Sequence, residues 1–268
     1  MEDTMRVLCS KNINNMLLWE RLKARFSNSG SKNTSEIIPN LDEFLRNDLA
    51  ISPNNLTYYE YAFIHRSAQV KSNDGKDINF ERLEFLGDAV LGLIIAGYIF
   101  EKAPDKQEGY LTKMRSKIVS RNQLNAIGKK LRLTEYLHPS GNPNLGEDIN
   151  GNLVEALIGA IYLDKGFKFT TSFIFNKMIE ENIDLEKLEK AIFSYKSLIL
   201  EWSQKTKNKI TFNTFEEDNA EDLTVFVSVI RLNEKVISKG RGTSKKKAEE
   251  NAARRAYYFL QKQMDKAV

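Results

Sequence analysis

Hydrophobic residues recur every three or four positions through most of the first 190 residues, which is the repeat of amphipathic helices. The pattern predicts no strand between Leu41 and Leu188. The predicted helices are Asn40–Ala50, Thr57–Ser67, Asn79–Glu101, Gln107–Lys117, Arg121–Leu131, Asn150–Leu163 and Thr170–Asn182. A further helix is predicted at Ile13–Phe26, followed by the stretch SNSGSKNTS, whose small polar residues are typical of a linker.

The pattern changes after Phe193. Short runs rich in β-branched and aromatic residues then predict three strands, framed by two helices. The elements are a helix at Tyr195–Lys205, strands at Ile210–Glu216, Leu223–Leu232 and Lys235–Gly240, and a helix at Ser244–Gln263. The chain therefore divides into an extension with a linker (1–39), an all-α domain (40–189) and a small α+β domain of α-β-β-β-α order (193–265).

Composition and targeting signals favour a soluble protein. Of the 268 residues, 41% are hydrophobic and 28% are charged, as in ordinary globular domains. The longest apolar run, Ala89–Phe100, is shorter than the roughly 20 residues of a membrane helix, so it predicts a core helix. The first residues lack a secretory signal, and the lone Cys9 excludes an intrachain disulfide. We expect a cytoplasmic protein with no membrane partner.

Charge is distributed unevenly between the two predicted domains. Residues 190–268 hold 16 Lys and Arg against 10 Asp and Glu, while residues 1–189 hold 24 against 26. An acidic part that collects metal ions and a basic part that collects a polyanion would produce this division. Charge scattered for solubility would explain the same totals.

Acidic residues line one face of the helix predicted at 79–101. Glu81, Glu84 and Asp88 stand at i, i+3 and i+7, which places them in a narrow arc at about 100° per residue. Aligned like charges repel one another, and a divalent cation would remove that cost. Spacing alone leaves open both a metal site and a solvated charged face.

A second predicted helix, GNLVEALIGAIYLDKG at 151–166, sets Glu155 into an apolar face with Asn152 one turn before it. The carbonyl oxygen of an Asn side chain can bind a hard cation without adding charge. Glu108, at a predicted helix start, could face the same cavity or could simply favour the helix dipole. Oxygen donors from three helices suit Mg²⁺, which often completes its coordination with phosphate. This set predicts phosphoester chemistry.

The segment ERLEFLGDAVL at 81–91 resembles the signature helix of ribonuclease III. HRSA upstream at 65–68, and EGYLTKMRS at 108–116 and VEALIGAIYLDKG at 154–166 downstream, have the order and spacing of that family, so the resemblance covers about 41–182. It implies an all-helical endonuclease domain that dimerises, with Glu84 and Glu155 as metal ligands, Asp88 and Glu155 in catalytic roles, and Glu81 and Glu108 as accessory acids near the cleaved strand. It also implies that Phe85 packs into the partner subunit.

One position departs from that family. Asn152 stands where many members carry an Asp, so a neutral ligand replaces an anionic one. Losing one negative charge weakens metal affinity, and a site for two Mg²⁺ ions would be more sensitive to the loss than a site for one. We keep Asn152 in the predicted ligand set together with Glu84 and Glu155.

A basic helix start characterises the C-terminal domain. In GRGTSKKKAEENAARRAYYFL at 240–260, Ser244 is the predicted N-cap, and three lysines follow it in the first turn. Cations there oppose the helix dipole unless an anion docks at the helix start. A solvated lysine run is the alternative. The absence of GxxxxGK[ST] argues against a P-loop, and we expect no nucleotide cofactor.

With its α-β-β-β-α order, this part resembles a double-stranded RNA-binding domain over about 193–264. The resemblance implies recognition of duplex shape, with Lys245 and Lys246 on phosphates and Glu201 and Gln204 on 2′-hydroxyls. The acidic loop EEDNAEDL at 216–223 departs from the turn of that family.

Together these features predict a homodimeric endoribonuclease that cleaves double-stranded RNA. The resemblance implies Mg²⁺ as cofactor, with Mn²⁺ able to substitute, 5′-phosphate and 3′-hydroxyl ends, and roles in rRNA and mRNA processing. The alternative is a catalytically weak or inactive dimeric protein that binds double-stranded RNA, which Asn152 keeps open. A structural scaffold is a third class, and it would need a partner that the sequence does not show.

Overall fold

The computed structural model describes residues 38–139, 141, 145–192, 194–217 and 224–264. The chain divides between Glu189 and Lys190 into two compact units, and each has its own hydrophobic core. The helix predicted at Ile13–Phe26 and most of the acidic loop at 216–223 lie outside the described residues.

The first unit is helical. Within its described part, strand-like pairing is confined to isolated bridges between Ile64 and His138 and between Lys71 and Asp77. Its α-helices are α1 Leu41–Asn47, α2 Leu56–Ala62, α3 Glu81–Lys102, α4 Glu108–Ile118, α5 Arg121–Lys130, α6 Ile149–Ile174, α7 Glu180–Asn182 and α8 Leu185–Lys190, and a π-helix at Phe175–Ile179 connects α6 to α7. The predicted all-α class is confirmed for this unit.

Three predicted helices have clearly different bounds in the structure. The predicted helix Thr57–Ser67 is wrong beyond Ala62, because the chain then extends to pair with a distant loop: the His138 N–H donates to the Phe63 carbonyl at 2.8 Å. Helix α6 runs through the gap between the helices predicted at Asn150–Leu163 and Thr170–Asn182. Its axis kinks at Gly166, where φ is 76°. That positive φ suits glycine because a Cβ would be strained there.

Helices α3 and α6 form the centre of this unit, and their backbones touch. A Cβ atom on Gly87 would lie 1.7 Å from the carbonyl oxygen of Glu155, and one on Gly159 would lie 2.3 Å from the carbonyl oxygen of Leu83. Both glycines are therefore required for this crossing. Because the crossing adjoins the acidic segment of each helix, it holds those two segments side by side.

Helix α3 has one buried and one exposed apolar face. Its 22 residues are long and apolar enough to cross a membrane by length and composition alone. Leu91, Ile94 and Ile95 are nevertheless buried in the core of the unit, as in a core helix. The exposed side chains include Phe85, Leu93 and Phe100.

The second unit has the predicted α-β-β-β-α order. Its elements are α9 Tyr195–Thr206, β1 Ile210–Glu217, β2 Val225–Leu232, β3 Lys235–Gly242 and α10 Lys245–Met264. The strands form an antiparallel sheet in the order β1-β2-β3. Ile230 on the sheet packs with Ile199 on α9 and Ala252 on α10. The two helices thus cover one face of the sheet, and the predicted α+β class is confirmed.

The close crossing of α3 and α6 predicts the effect of one added methyl group. We expect Gly87→Ala to lower the free energy of unfolding by at least about 3 kcal/mol, because the new Cβ would collide with backbone. Urea denaturation measures the change. Gly97→Ala on the same helix is the control: nothing lies within 4 Å of its Cβ position, so a gain of about 0.5 to 1 kcal/mol is expected. Equal stabilities for the two variants would contradict the crossing.

Candidate active site and nucleic-acid interface

The acidic segments of α3 and α6 line one cavity of about 520 Å³. Glu81, Glu84 and Asp88 come from α3, as their spacing on one helix face predicts. Asn152 and Glu155 come from α6. Five of the six residues predicted for catalysis or metal binding are therefore brought together.

Like charges dominate the electrostatics of this cavity. Burial, followed by the charges of Asp88 and Glu84, raises the pKa of Glu155 to about 7. Burial, followed by the charge of Glu81, raises the pKa of Glu84 as well, and Asp88 adds to that effect. Arg121 opposes the increase at both groups. The folded chain thus holds two carboxyl groups in surroundings that disfavour their ionised forms.

The donor chemistry of the cavity fits Mg²⁺. Its candidate ligands are carboxylate and amide oxygens, which this hard cation prefers. A cation among them would offset both the burial and the neighbouring negative charges that raise the pKa of Glu155. Within the described ranges, no three side chains among Asp, Glu, His and Cys stand close enough to hold one ion together. The side chains thus share a cavity without being gathered around a single point.

Glu108 lies apart from these residues. It occupies the exposed first turn of α4 and accepts a hydrogen bond from the Thr112 hydroxyl at 2.7 Å. It is not among the described residues that line the cavity. Within one chain, Glu108 therefore does not line the cavity, although the family resemblance groups it with the site.

Three polar residues of the cavity were not predicted from the sequence: Arg121, Asn125 and Asp148. The Arg121 Nη1 atom lies 2.9 Å from Asp148 Oδ2, and Asn125 donates its side-chain N–H to Asp148 Oδ1 at 3.2 Å. Asp148 precedes α6 by one residue, so it falls outside the predicted helix Asn150–Leu163. Asp148 stands four residues before Asn152 and seven before Glu155, a spacing that places all three on one helix face, as for the acidic residues of α3. A predicted helix that began two residues earlier, at 148, would have identified it.

An exposed apolar strip on α3 begins at the cavity. Phe85 lines the cavity and is 81% exposed. Leu93 and Phe100 follow on the same helix at 62% and 69% exposure. Spacings of eight and seven residues keep the three side chains on roughly one side of the helix.

In the second unit, the predicted basic helix start is present. The Ser244 hydroxyl accepts a hydrogen bond from the Lys247 backbone N–H at 3.2 Å, which confirms the predicted N-cap. Lys245 and Lys246 are exposed in the first turn of α10, and Lys245 Nζ lies 6.0 Å from the centre of the Phe226 ring. The first turn of α10 thus offers two cations to an anionic partner.

The predicted contacts on α9 are exposed too. Glu201 and Gln204 lie on the surface of α9, which packs against α10. Glu201 lies within 3.5 Å of Lys205 on the next turn. The residues predicted to meet the duplex are thus accessible on two neighbouring helices of one unit.

Comparison with known proteins gives a consistent result for both units. Residues 55–182 match the family model described as ribonuclease-III-like, and residues 195–260 match the double-stranded RNA binding motif. A protein named Ribonuclease 3 from Zunongwangia profunda is 50% identical over 218 residues, which are 81% of this chain and 90% of that protein. Ribonuclease 3 from Flavobacterium psychrophilum is 47% identical over 81% of this chain and 89% of its own length.

A solved structure is similar to about half of this chain. The nuclease domain of ribonuclease III from Campylobacter jejuni is 33% identical and has a TM-score of 0.47. It covers 53% of this chain, which in turn covers 98% of it, and it is described as containing a region involved in dimer formation.

The raised pKa of Glu155 predicts how stability depends on pH. Its pKa is about 7 in the folded chain, above the ordinary value near 4.3 of an unfolded chain. The folded chain therefore binds the proton more tightly, and stability falls as pH rises from about 4.5 to 7. We expect Glu155→Gln to raise the free energy of unfolding by about 1 to 2 kcal/mol at pH 8 and to leave it unchanged at pH 4.5.

Urea denaturation in EDTA at both pH values measures this difference. Glu101→Gln is the matched control, because Glu101 is exposed on α3 and does not line the cavity. Equal effects of the two substitutions at pH 8 would show that the cavity imposes no electrostatic cost on Glu155.

Proposed function

The chain belongs to the ribonuclease III family, and from this premise we propose that it hydrolyses double-stranded RNA in a Mg²⁺-dependent reaction. The observation that carries the proposal is the shared cavity that Glu84, Asp88 and Glu155 line. Water would attack the phosphorus, the P–O3′ bond would break, and the 3′ oxygen would take up a proton. The products are then 5′-phosphate and 3′-hydroxyl ends.

The cavity residues have separate roles in this proposal. Glu84 and Glu155 hold the metal with their carboxylates, and Asn152 adds a neutral oxygen. When bound, Mg²⁺ supplies an activated water and charge stabilisation at the leaving oxygen; Mn²⁺ can substitute. Asp88 accepts a hydrogen bond from the attacking water and orients it. Glu81, which lies 3.7 Å from Arg66, and the exposed Glu108 are the accessory acids along the cleaved strand.

The substrate class follows from the second unit. A double-stranded RNA-binding domain recognises the shape of an A-form duplex through 2′-hydroxyl and phosphate contacts. Lys245 and Lys246 supply phosphate contacts, and Glu201 and Gln204 supply polar contacts in the minor groove. Duplex segments of rRNA and mRNA precursors are the proposed targets, and the lone Cys9 favours the reducing cytoplasm as the compartment.

A homodimer accounts for the apolar strip on α3. Three large apolar side chains exposed on one side of a helix are characteristic of a protein interface. We assign a second copy of the chain to that strip, with Phe85 inserted into the partner, because the family resemblance implies a dimer across this helix. Each assembly would then carry two cavities and cleave both strands of a duplex.

A second candidate function rests on Asn152. This neutral side chain lines the cavity where an anionic ligand would bind a cation more strongly. A catalytically weak or inactive dimer that binds double-stranded RNA would keep the same fold and the same basic helix start. The two functions differ in whether labelled duplex RNA is shortened or only shifted on a gel.

A cleavage assay with graded Mg²⁺ tests the enzyme. We expect wild type to shorten duplex RNA, Glu155→Gln to lower kcat at least about 100-fold, and Asn152→Asp to half-saturate at a lower Mg²⁺ concentration because it adds an anionic ligand. Glu101→Gln, which removes a charge from α3 outside the cavity, retains wild-type activity. Wild-type chain that leaves the duplex intact at every Mg²⁺ and Mn²⁺ concentration would overturn the enzyme in favour of the binding protein.

Salt titration tests the duplex interface. Lys245→Ala with Lys246→Ala removes two phosphate contacts, so the slope of log K against log [salt] should become shallower by about two. Lys239→Ala gives the control. Lys239 is exposed on β3, and it points away from α10, because the Cβ position of the next residue, Gly240, is directed at α10 and successive strand residues face opposite sides of a sheet. A double variant with the wild-type slope would remove these two lysines from the interface.

A further inference from the structure

The carboxylates of the cavity have one basic side chain beside them among the described residues. Of the twelve described residues that line it, five are acidic and only Arg121 is basic. Arg121 is the first residue of α5. Its charge opposes the pKa increase of Glu84 and Glu155, which places the guanidinium within electrostatic reach of both.

Asp148 holds this guanidinium in place, and Asn125 in turn holds Asp148. Asp148 binds Arg121 Nη1 through Oδ2 at 2.9 Å, and its other oxygen accepts the side-chain N–H of Asn125 at 3.2 Å. The Asn125 Oδ1 atom in turn accepts the Gly151 backbone N–H at 2.8 Å. The chain of bonds therefore links the start of α5 to the start of α6, which carries Asn152 and Glu155.

The ion pair between Arg121 and Asp148 is too exposed to contribute much to the stability of the fold. The side chains are 72% and 44% exposed, and ion pairs in such surroundings contribute little to folding. The guanidinium has five N–H donors in a planar fork that matches a phosphate, and the bond to Asp148 engages Nη1. Arg121 thus presents a phosphate-binding group to solvent at the acidic cavity.

A strand of RNA that enters this cavity faces strong repulsion. Its phosphates approach five acidic side chains, and like charges are costly to bring together where part of the water is removed. A metal ion would offset some of that charge, and a fixed cation on the wall would offset more. Arg121 occupies such a position.

We propose that Arg121 binds a backbone phosphate of the RNA strand in the cavity, and that Asp148 and Asn125 orient it. The proposal rests on the proposed function, because it takes RNA as the occupant of the cavity. Arg121 is then a substrate-binding residue, while Asp148 and Asn125 are positioning residues that do not touch the RNA.

Duplex binding by the full chain tests the contact. Arg121→Gln and Lys129→Gln remove the same charge from α5, and Lys129 is exposed and does not line the cavity. Both are made in a Glu155→Gln background, so that cleavage does not disturb titrations against salt with Mg²⁺ present. We expect Arg121→Gln to weaken binding several-fold and to reduce the salt slope by about one, with Lys129→Gln unchanged. The same slope for both would overturn the proposal.

Asp148→Asn separates a phosphate contact from a structural role. It breaks the ion pair but keeps the charge of Arg121, so the salt slope should remain that of the parent. Equal slope changes in Asp148→Asn and Arg121→Gln would mean that Arg121 only holds the start of α6, and the proposal would fail. Arg121→Lys, which keeps the charge and loses the fork, should keep the slope and raise KM in the otherwise wild-type chain.

Metal binding provides a readout that is independent of cleavage. Calorimetric titration with Mn²⁺ should show that Arg121→Gln binds the ion at least as tightly as wild type, because a nearby positive charge is gone. Weaker Mn²⁺ binding would assign Arg121 to the metal site and overturn the phosphate contact. An inactive wild type would refute the proposed nuclease, whereas the salt slopes would still decide the role of Arg121.

Discussion

The arrangement of the first unit depends on the direct backbone contact between helices α3 and α6. Gly87 and Gly159 have no side chain where α3 crosses α6, and any Cβ atom at either position would meet a carbonyl group. Because of that contact, two acidic segments that are more than sixty residues apart in the sequence face one cavity. The chemistry therefore depends on the absence of side chains next to the acids as much as on the acids themselves.

The contact has an electrostatic cost. Carboxylates that would be solvated on separate helices are instead partly buried beside one another, and the pKa of Glu155 rises to about 7 as a result. Such a site is maintained against the stability of the fold, as is common where function requires strained groups. Arg121 reduces the cost from one side of the cavity without removing it, and the remaining negative charge is what a cation would bind.

The sequence predicts the central acidic residues of the site better than the residues at its periphery. Glu81, Glu84 and Asp88 could be placed on one face because helical spacing determines direction, and Asn152 and Glu155 followed from the same rule. Asp148 was missed because helix starts are the least certain part of a periodic pattern. Arg121 and Asn125 lie on a third helix, and their approach depends on packing that no local pattern encodes. The helix predicted at Thr57–Ser67 was wrong beyond Ala62 because a long-range backbone pairing to His138 overrides the local helical preference.

The apolar strip and the acidic cavity are coupled through Phe85. This side chain lies between Glu84 and Leu86 in the sequence, lines the cavity and is 81% exposed. If a second copy covers the strip as proposed, it removes water from one wall of the cavity at the same time. Lower solvent access strengthens both the repulsion among the carboxylates and their attraction for a cation. Association would thus strengthen metal binding at the carboxylates, and by linkage the cation would favour association.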